Sequence, residues 1–135
     1  MLVSFNNFLL ALMPPYYYTD FDMADCVFCK IVKGEIPASV EMESDNIIAF
    51  KSIDPAAEYH FLVVPKKHVR EFVSLAQSDF DLLSEMAEIA QGIIKRNDLS
   101  GGYKMIFNGG KHAEIKHLHW HLLGGEFEED SHEKI

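Results

Sequence analysis

Apolar positions change period along this chain. Over residues 78–98, Leu82, Leu83, Met86, Ile89, Ala90, Ile93 and Ile94 recur at helical spacing and predict one long amphipathic helix. Ser78 stands as its N-cap, with Asp79 and Asp81 near the positive end of the helix dipole. Lys95 and Arg96 fall in the last turn, and Gly101-Gly102 stops the helix. Elsewhere the apolar runs are short. Residues 39–43 and 47–51 read as two strands joined by the turn residues Ser44-Asp45-Asn46. Phe61-Leu62-Val63-Val64 is unbroken, which predicts a strand buried on both faces and closed by Pro65. Residues 103–108 and 115–123 predict two more strands. Residues 27–32 predict a short helix, ended by Gly34 and Pro37. Strands, then a long helix, then strands predict an α+β fold: a five-stranded antiparallel sheet with one long and one short helix.

A length of 135 residues suggests one domain. The formal net charge of −9 repels phosphate backbones and argues against nucleic acid as a partner. A single nucleotide needs only one locally positive pocket, so it is not excluded. No apolar run approaches the roughly 20 residues of a membrane helix, so no membrane partner is expected. The two cysteines, Cys26 and Cys29, are too few for a disulfide scaffold, and their spacing suits metal or redox chemistry in a reducing compartment. The apolar run at 8–13 is short and the first basic residue is Lys30, unlike a secretory signal, so a cytoplasmic location is expected.

Residues 1–22 differ from the rest, with Pro14-Pro15, Tyr16-Tyr17-Tyr18 and no lysine or arginine. They read as an N-terminal extension: an appendage, a product of a start upstream of Met23, or an arm packed on the domain or a partner. The domain itself is expected at 23–125. Residues 126–135, with Glu126, Glu128, Glu129 and Asp130, read as an acidic solvated tail.

The sharpest local feature is His117-Leu118-His119-Trp120-His121. Side chains alternate across a strand, so the imidazoles share one face and Leu118, Trp120 and Leu122 the other. Successive rings would start about 6.6 Å apart, from a rise of about 3.3 Å per residue. Such a face suits nucleophilic catalysis, or zinc with a third ligand. The residues alone leave both open. Cys26-x-x-Cys29 could complete a tetrahedral site with two histidines or remain a pair of buried thiols, while a thioredoxin-like pair lacks its βαβ context.

The triad followed by Leu122-Leu123-Gly124-Gly125 resembles the signature of the histidine triad family, especially its Hint branch of nucleotide hydrolases. The similarity extends to Phe50 with Ile53-Asp54-Pro55, to His60 through His68, to Cys26 through Ile31 with Glu35-Ile36-Pro37-Ala38, and to Gly102-Tyr103 through Asn108-Gly109. It covers residues 23–125.

That resemblance implies hydrolysis of purine nucleoside phosphoramidates through a nucleotidyl-histidine, with dinucleoside polyphosphates, as in the Fhit-like branch, as the alternative substrate. A transferase fits less well, because the transferase branch replaces the third triad histidine and His121 is present. His119 would be the nucleophile, its other nitrogen held by a backbone carbonyl near His117. His121 would bind phosphate and help protonate the leaving group. His60 and His117 would support them or ligate metal, and Asn108 would contact a phosphate oxygen or the leaving group. Phe28, Ile31, Phe50 and Ile53 would form the slot for the base, with Ser52 toward the ribose. No cofactor is required for this catalysis. The resemblance to bacterial-type members further implies a structural zinc, for which Cys26, Cys29, His60 and His117 would be the ligands here. His68 would flank a turn. The family also implies a homodimer, with the strand from Tyr103 and the helix from Ser78 at the interface.

The sequence departs from the family in three places, one of them the acidic C-terminus at 126–135. Lys111-His112-Ala113-Glu114-Ile115-Lys116 stands where Hint enzymes carry Gly-Gly-Gln-Ser-Val, so Glu114 replaces a serine that helps the leaving group depart. Ser52 stands where an aspartate often grips the ribose. Glu114 and the shortened loop around it keep a second class open, a nucleotide- or zinc-binding module with little turnover.

Overall fold

The computed structural model describes residues 23–128 and residue 135. The extension 1–22 and residues 129–134 of the acidic segment lie outside the described residues. The elements are α1 (Val27–Val32), β1 (Val40–Glu43), β2 (Ile47–Lys51), β3 (Ala57–Pro65), α2 (Phe80–Arg96), β4 (Tyr103–Ile106) and β5 (Trp120–Phe127). The strands form one five-stranded sheet in the order β1-β2-β3-β5-β4, with every neighbouring pair antiparallel.

Alternation along β2 and β3 divides the interior in two. Ile47, Ala49, Phe61 and Val63 face α2 and pack on Met86, Ala90 and Ile93 together with Leu118 and Leu122. Ile48, Phe50, Leu62 and Val64 face the other way and pack on Cys26, Phe28 and Cys29 around α1. The central strand is therefore buried on both faces, as its unbroken apolar run predicts. Among the described residues, no helix is long and apolar enough to cross a membrane.

The boundaries move where tertiary contacts outweigh local pattern. β3 begins at Ala57, because Glu58, Tyr59 and His60 extend the ladder despite their polarity. α2 begins at Phe80, not at Ser78. A 3-10 turn at Gln77–Asp79 precedes it, and Asp79 rather than Ser78 holds the entry. The buried Asp79 carboxylate accepts the Ala76 N–H at 3.0 Å and pairs with Lys67 Nζ at 2.5 Å. Burial disfavours its charge, but the Lys67 and Ala76 hydrogen bonds and the Lys67 charge win and hold its pKa below the usual value.

β4 stops at Ile106, and β5 starts at Trp120, five residues later than the pattern of 115–123 suggests. The preceding segment leaves the ladder because the Leu118 N–H donates to the Val69 carbonyl at 2.7 Å. At its far end β5 runs to Phe127, so Glu126 sits in the strand, and the Glu128 N–H donates to Ala56 O at 3.0 Å. Gly125 permits this continuation. Its φ is +72°, and a Cβ there would meet Glu58 Oε1 at 2.9 Å.

Candidate active site and metal cluster

The segment entering β5 carries the histidines. Leu118, Trp120 and Leu122 turn into the helix-side core, which sends His117, His119 and His121 to the opposite face. His121 pairs across the ladder with Leu62 of that face. His119 and His121 lie with ring centroids 5.0 Å apart, and His60 lies 5.1 Å from His121.

The hydrogen bonds determine where the protons sit. A carbonyl can only accept, so His119 Nδ1–H donates to His117 O at 2.7 Å, and the lone pair of neutral His119 is on Nε2. His60 Nδ1 accepts the Ala56 N–H at 3.0 Å, which puts its proton on Nε2. That proton is donated to His121 Nδ1 at 2.9 Å. Neutral His121 thus carries its own proton on Nε2. Burial lowers the pKa of His119, against the opposing hydrogen bond to His117. Burial, then the His119 and His60 charges, lowers His121 to about 4. One ring offers a lone pair and its neighbour a donor, both neutral near pH 7.

His117 turns its ring elsewhere. Its Nε2–H donates to Pro65 O at 2.8 Å, leaving the Nδ1 lone pair aimed at Cys26 Sγ (3.3 Å), Cys29 Sγ (3.5 Å) and His68 Nδ1 (3.1 Å). His68 Nδ1 lies 3.2 Å from Cys29 Sγ. The four donor atoms of Cys26, Cys29, His68 and His117 lie within 4.8 Å of one another and could hold a metal ion. The donor chemistry fits a tetrahedral cation: two thiols, and two ring nitrogens of which one has its tautomer set by a carbonyl. Burial, then contact with Cys26, pushes the Cys29 thiol up to about 12, and burial chiefly lowers His117 to about 4. A bound cation favours the thiolate and the neutral imidazole that ligation needs.

This set corrects the expected one in one member. His68 takes the place assigned to His60, whose ring is occupied by Ala56 N–H and His121. His68 follows the end of β3, close to the Pro65 carbonyl that orients His117. Nothing in the sequence places that point beside α1, and His68 has no periodic pattern around it.

Of the residues expected at a base slot, Phe28 and Phe50 are buried and packed edge to face at 5.6 Å, with Ile31 against the same cluster. Phe28 also meets the His119 ring edge-on at 5.1 Å. Ile53 is fully exposed in the turn after β2. Ser52 is half-buried there, and its Oγ accepts the Asp54 N–H at 3.2 Å. Asn108 is half-buried beyond β4, and Glu114 is exposed.

A groove of about 510 Å³ lies on the helix side of the sheet, away from the imidazoles, lined by Ala87, Ala90, Ile94, Tyr103, Met105 and Trp120 among others. Its walls come from α2, β4 and Trp120 of β5, which lie apart in the chain, so no local pattern marks it.

A family model described as Scavenger mRNA decapping enzyme C-term binding matches residues 25–135. Protein HitA of Neisseria gonorrhoeae is 38% identical over 104 residues, covering 76% of this chain and 97% of that protein. A solved structure of a histidine triad protein from Clostridium difficile is 38% identical with a TM-score of 0.74, covering 78% of this chain and 95% of that one. A HIT family hydrolase from Clostridium thermocellum is 36% identical with a TM-score of 0.73, covering 75% and 90%.

Proposed function

The chain belongs to the histidine triad family, and on that premise we propose that it hydrolyses purine nucleoside phosphoramidates, with His119 as nucleophile. The observation that carries this reading is the bond from His119 Nδ1–H to His117 O at 2.7 Å, which leaves Nε2 unprotonated. A neutral imidazole nitrogen so held can attack an α-phosphorus in line. The N–P bond to His119 forms as the P–N bond to the amine breaks.

His121 Nε2–H is a donor for a phosphate oxygen. The anionic substrate favours uptake of a proton by the His60–His121 pair against the burial that keeps it neutral, and His121 Nε2 passes its proton to the departing amine as His60 Nε2–H moves onto His121 Nδ1. Water then attacks phosphorus, returns a proton to His121 and releases the mononucleotide. His60 holds His121 through Nε2–H. Phe28 lies against His119, Ile31 and Phe50 extend the apolar cluster behind it, and exposed Ile53 is available to cover a base.

Cys26, Cys29, His68 and His117 would hold zinc, which would supply a structural cross-link and take no part in the bond changes. Their free thiols suit a reducing, cytoplasmic compartment. The groove between α2 and β4 suits a homodimer. Tyr103, Met105 and Phe107 are exposed there on the edge of the sheet, and buried Trp120 Nε1 has no hydrogen-bond partner among the described residues.

The test is turnover of a fluorogenic adenosine phosphoramidate by the wild type and His119→Ala. Release of the amine by the wild type alone is expected, and equal rates would remove the proposal. A parallel assay with a diadenosine polyphosphate discriminates the alternative substrate class.

A further inference from the structure

We infer that His117 is a positioning residue that transmits occupancy of the Cys26–Cys29–His68–His117 cluster to the nucleophile. This rests on the assignment of His119 as nucleophile and adds a dependence on the metal cluster. One residue serves both sites. The ring of His117 faces the two sulfurs and His68 Nδ1, while its main-chain carbonyl accepts the Nδ1–H of His119. A second connection runs through α1. Phe28 lies between the two cysteines in sequence, and its ring meets those of His119 at 5.1 Å and His117 at 5.8 Å. The residues that would grip a cation therefore also carry the acceptor and the wall that orient His119.

With His117 Nε2–H committed to Pro65 O, its Nδ1 presents a lone pair to His68 Nδ1 at 3.1 Å. With no cation bound, that lone pair is met only by an N–H or S–H hydrogen bond from His68 or a thiol, a weaker restraint on the ring than a ligand bond. A ring held more loosely restrains the main chain of residue 117 less. The His117 carbonyl then loses its fixed aim, and His119 loses the single tautomer that exposes Nε2. Ligated, the cluster holds that carbonyl still.

The test uses the full chain loaded with zinc, stripped by chelation, and reloaded, beside a zinc-incubated His68→Gln variant. His68→Gln removes a ligand and the contact to Cys29 Sγ but leaves His119 and both cysteines in the chain. Metal content is measured in each, and the tautomer of His119 is read from ring ¹⁵N shifts. In the loaded protein a single Nδ1–H tautomer is expected. Stripping or His68→Gln should give a tautomer mixture and lower kcat by about 10–100-fold, with KM changed less. Reloading should restore both in the wild type. Metal loss that leaves the tautomer and kcat unchanged would overturn the inference.

Cobalt(II)-loaded protein gives a readout that survives even if the stripped chain unfolds. Adding AMP should shift the visible thiolate-cobalt absorption, and unchanged bands would count against the coupling. Neither spectroscopic readout needs turnover. A metal-responsive tautomer in a protein that hydrolyses nothing would therefore defeat the hydrolase assignment while leaving the link from the cluster to the His119 ring intact.

Discussion

The His119 ring donates through Nδ1 to the main-chain carbonyl of His117, two residues earlier on the same segment. The segment bends at residues 114–117 and joins the β5 ladder only at Trp120, so the carbonyl is available to a side chain. A neighbouring backbone atom thus sets the tautomer of a buried imidazole and turns its other nitrogen outward. His60 plays the corresponding part for His121, through a ring held by the Ala56 amide.

Removing the nucleophile should abolish covalent chemistry. His119→Ala is expected to lower kcat by about 10³-fold or more. The measurement is steady-state release of a fluorogenic amine, with rapid-quench detection of nucleotidyl-protein in the wild type. An adduct that persists in the variant would place the nucleophile elsewhere.

Stability should fall with acid in a defined window. Burial holds His121 at about 4 in the fold, against an ordinary 6.5. As pH falls below 6.5 the unfolded chain takes up this proton first, so the contribution of the neutral ring is complete above 6.5 and is lost toward 4. Thermal scans of the wild type should show Tm dropping across that interval. The activity profile should have its acid limb below 6.5, because burial also lowers His119. A limb above 6.5 would contradict both assignments.

His60→Ala leaves the Ala56 N–H and His121 Nδ1 without their partner. The buried amide should cost about 1–3 kcal/mol of stability, read by denaturant unfolding. Activity should fall by about 10–100-fold because His121 loses its fixed tautomer. Full activity in a folded variant would show that His121 needs no such support.

Phe28→Ala removes a buried ring from the cluster beside α1 and opens the wall against His119. A loss of about 3–5 kcal/mol is expected from the cavity. A loss below about 1 kcal/mol would mean that the cluster closes over the gap.

The edge strand offers a test of assembly. Met105 is exposed on β4 and lines the groove with Tyr103 and Trp120. Met105→Glu should shift a dimer toward monomer in sedimentation, because a charge is costly to bury in an apolar interface. A wild type that sediments as a monomer at high concentration would remove the dimer.

The sequence by itself determined the elements with a strong period: the long helix, the doubly buried central strand, and the alternation that sends Leu118, Trp120 and Leu122 one way and the histidines the other. Each follows from side-chain direction, which backbone geometry fixes locally. The tertiary structure decided what local chemistry cannot see. It moved the helix start from Ser78 to a turn held by Asp79 and Lys67, whose partners are twelve residues apart. It delayed β5 to Trp120 through the Leu118–Val69 bond. It exchanged His60 for His68 in the metal cluster, because which ring meets the thiols depends on where β3 ends against α1. Periodicity belongs to one segment, whereas ligand geometry belongs to the way several segments meet.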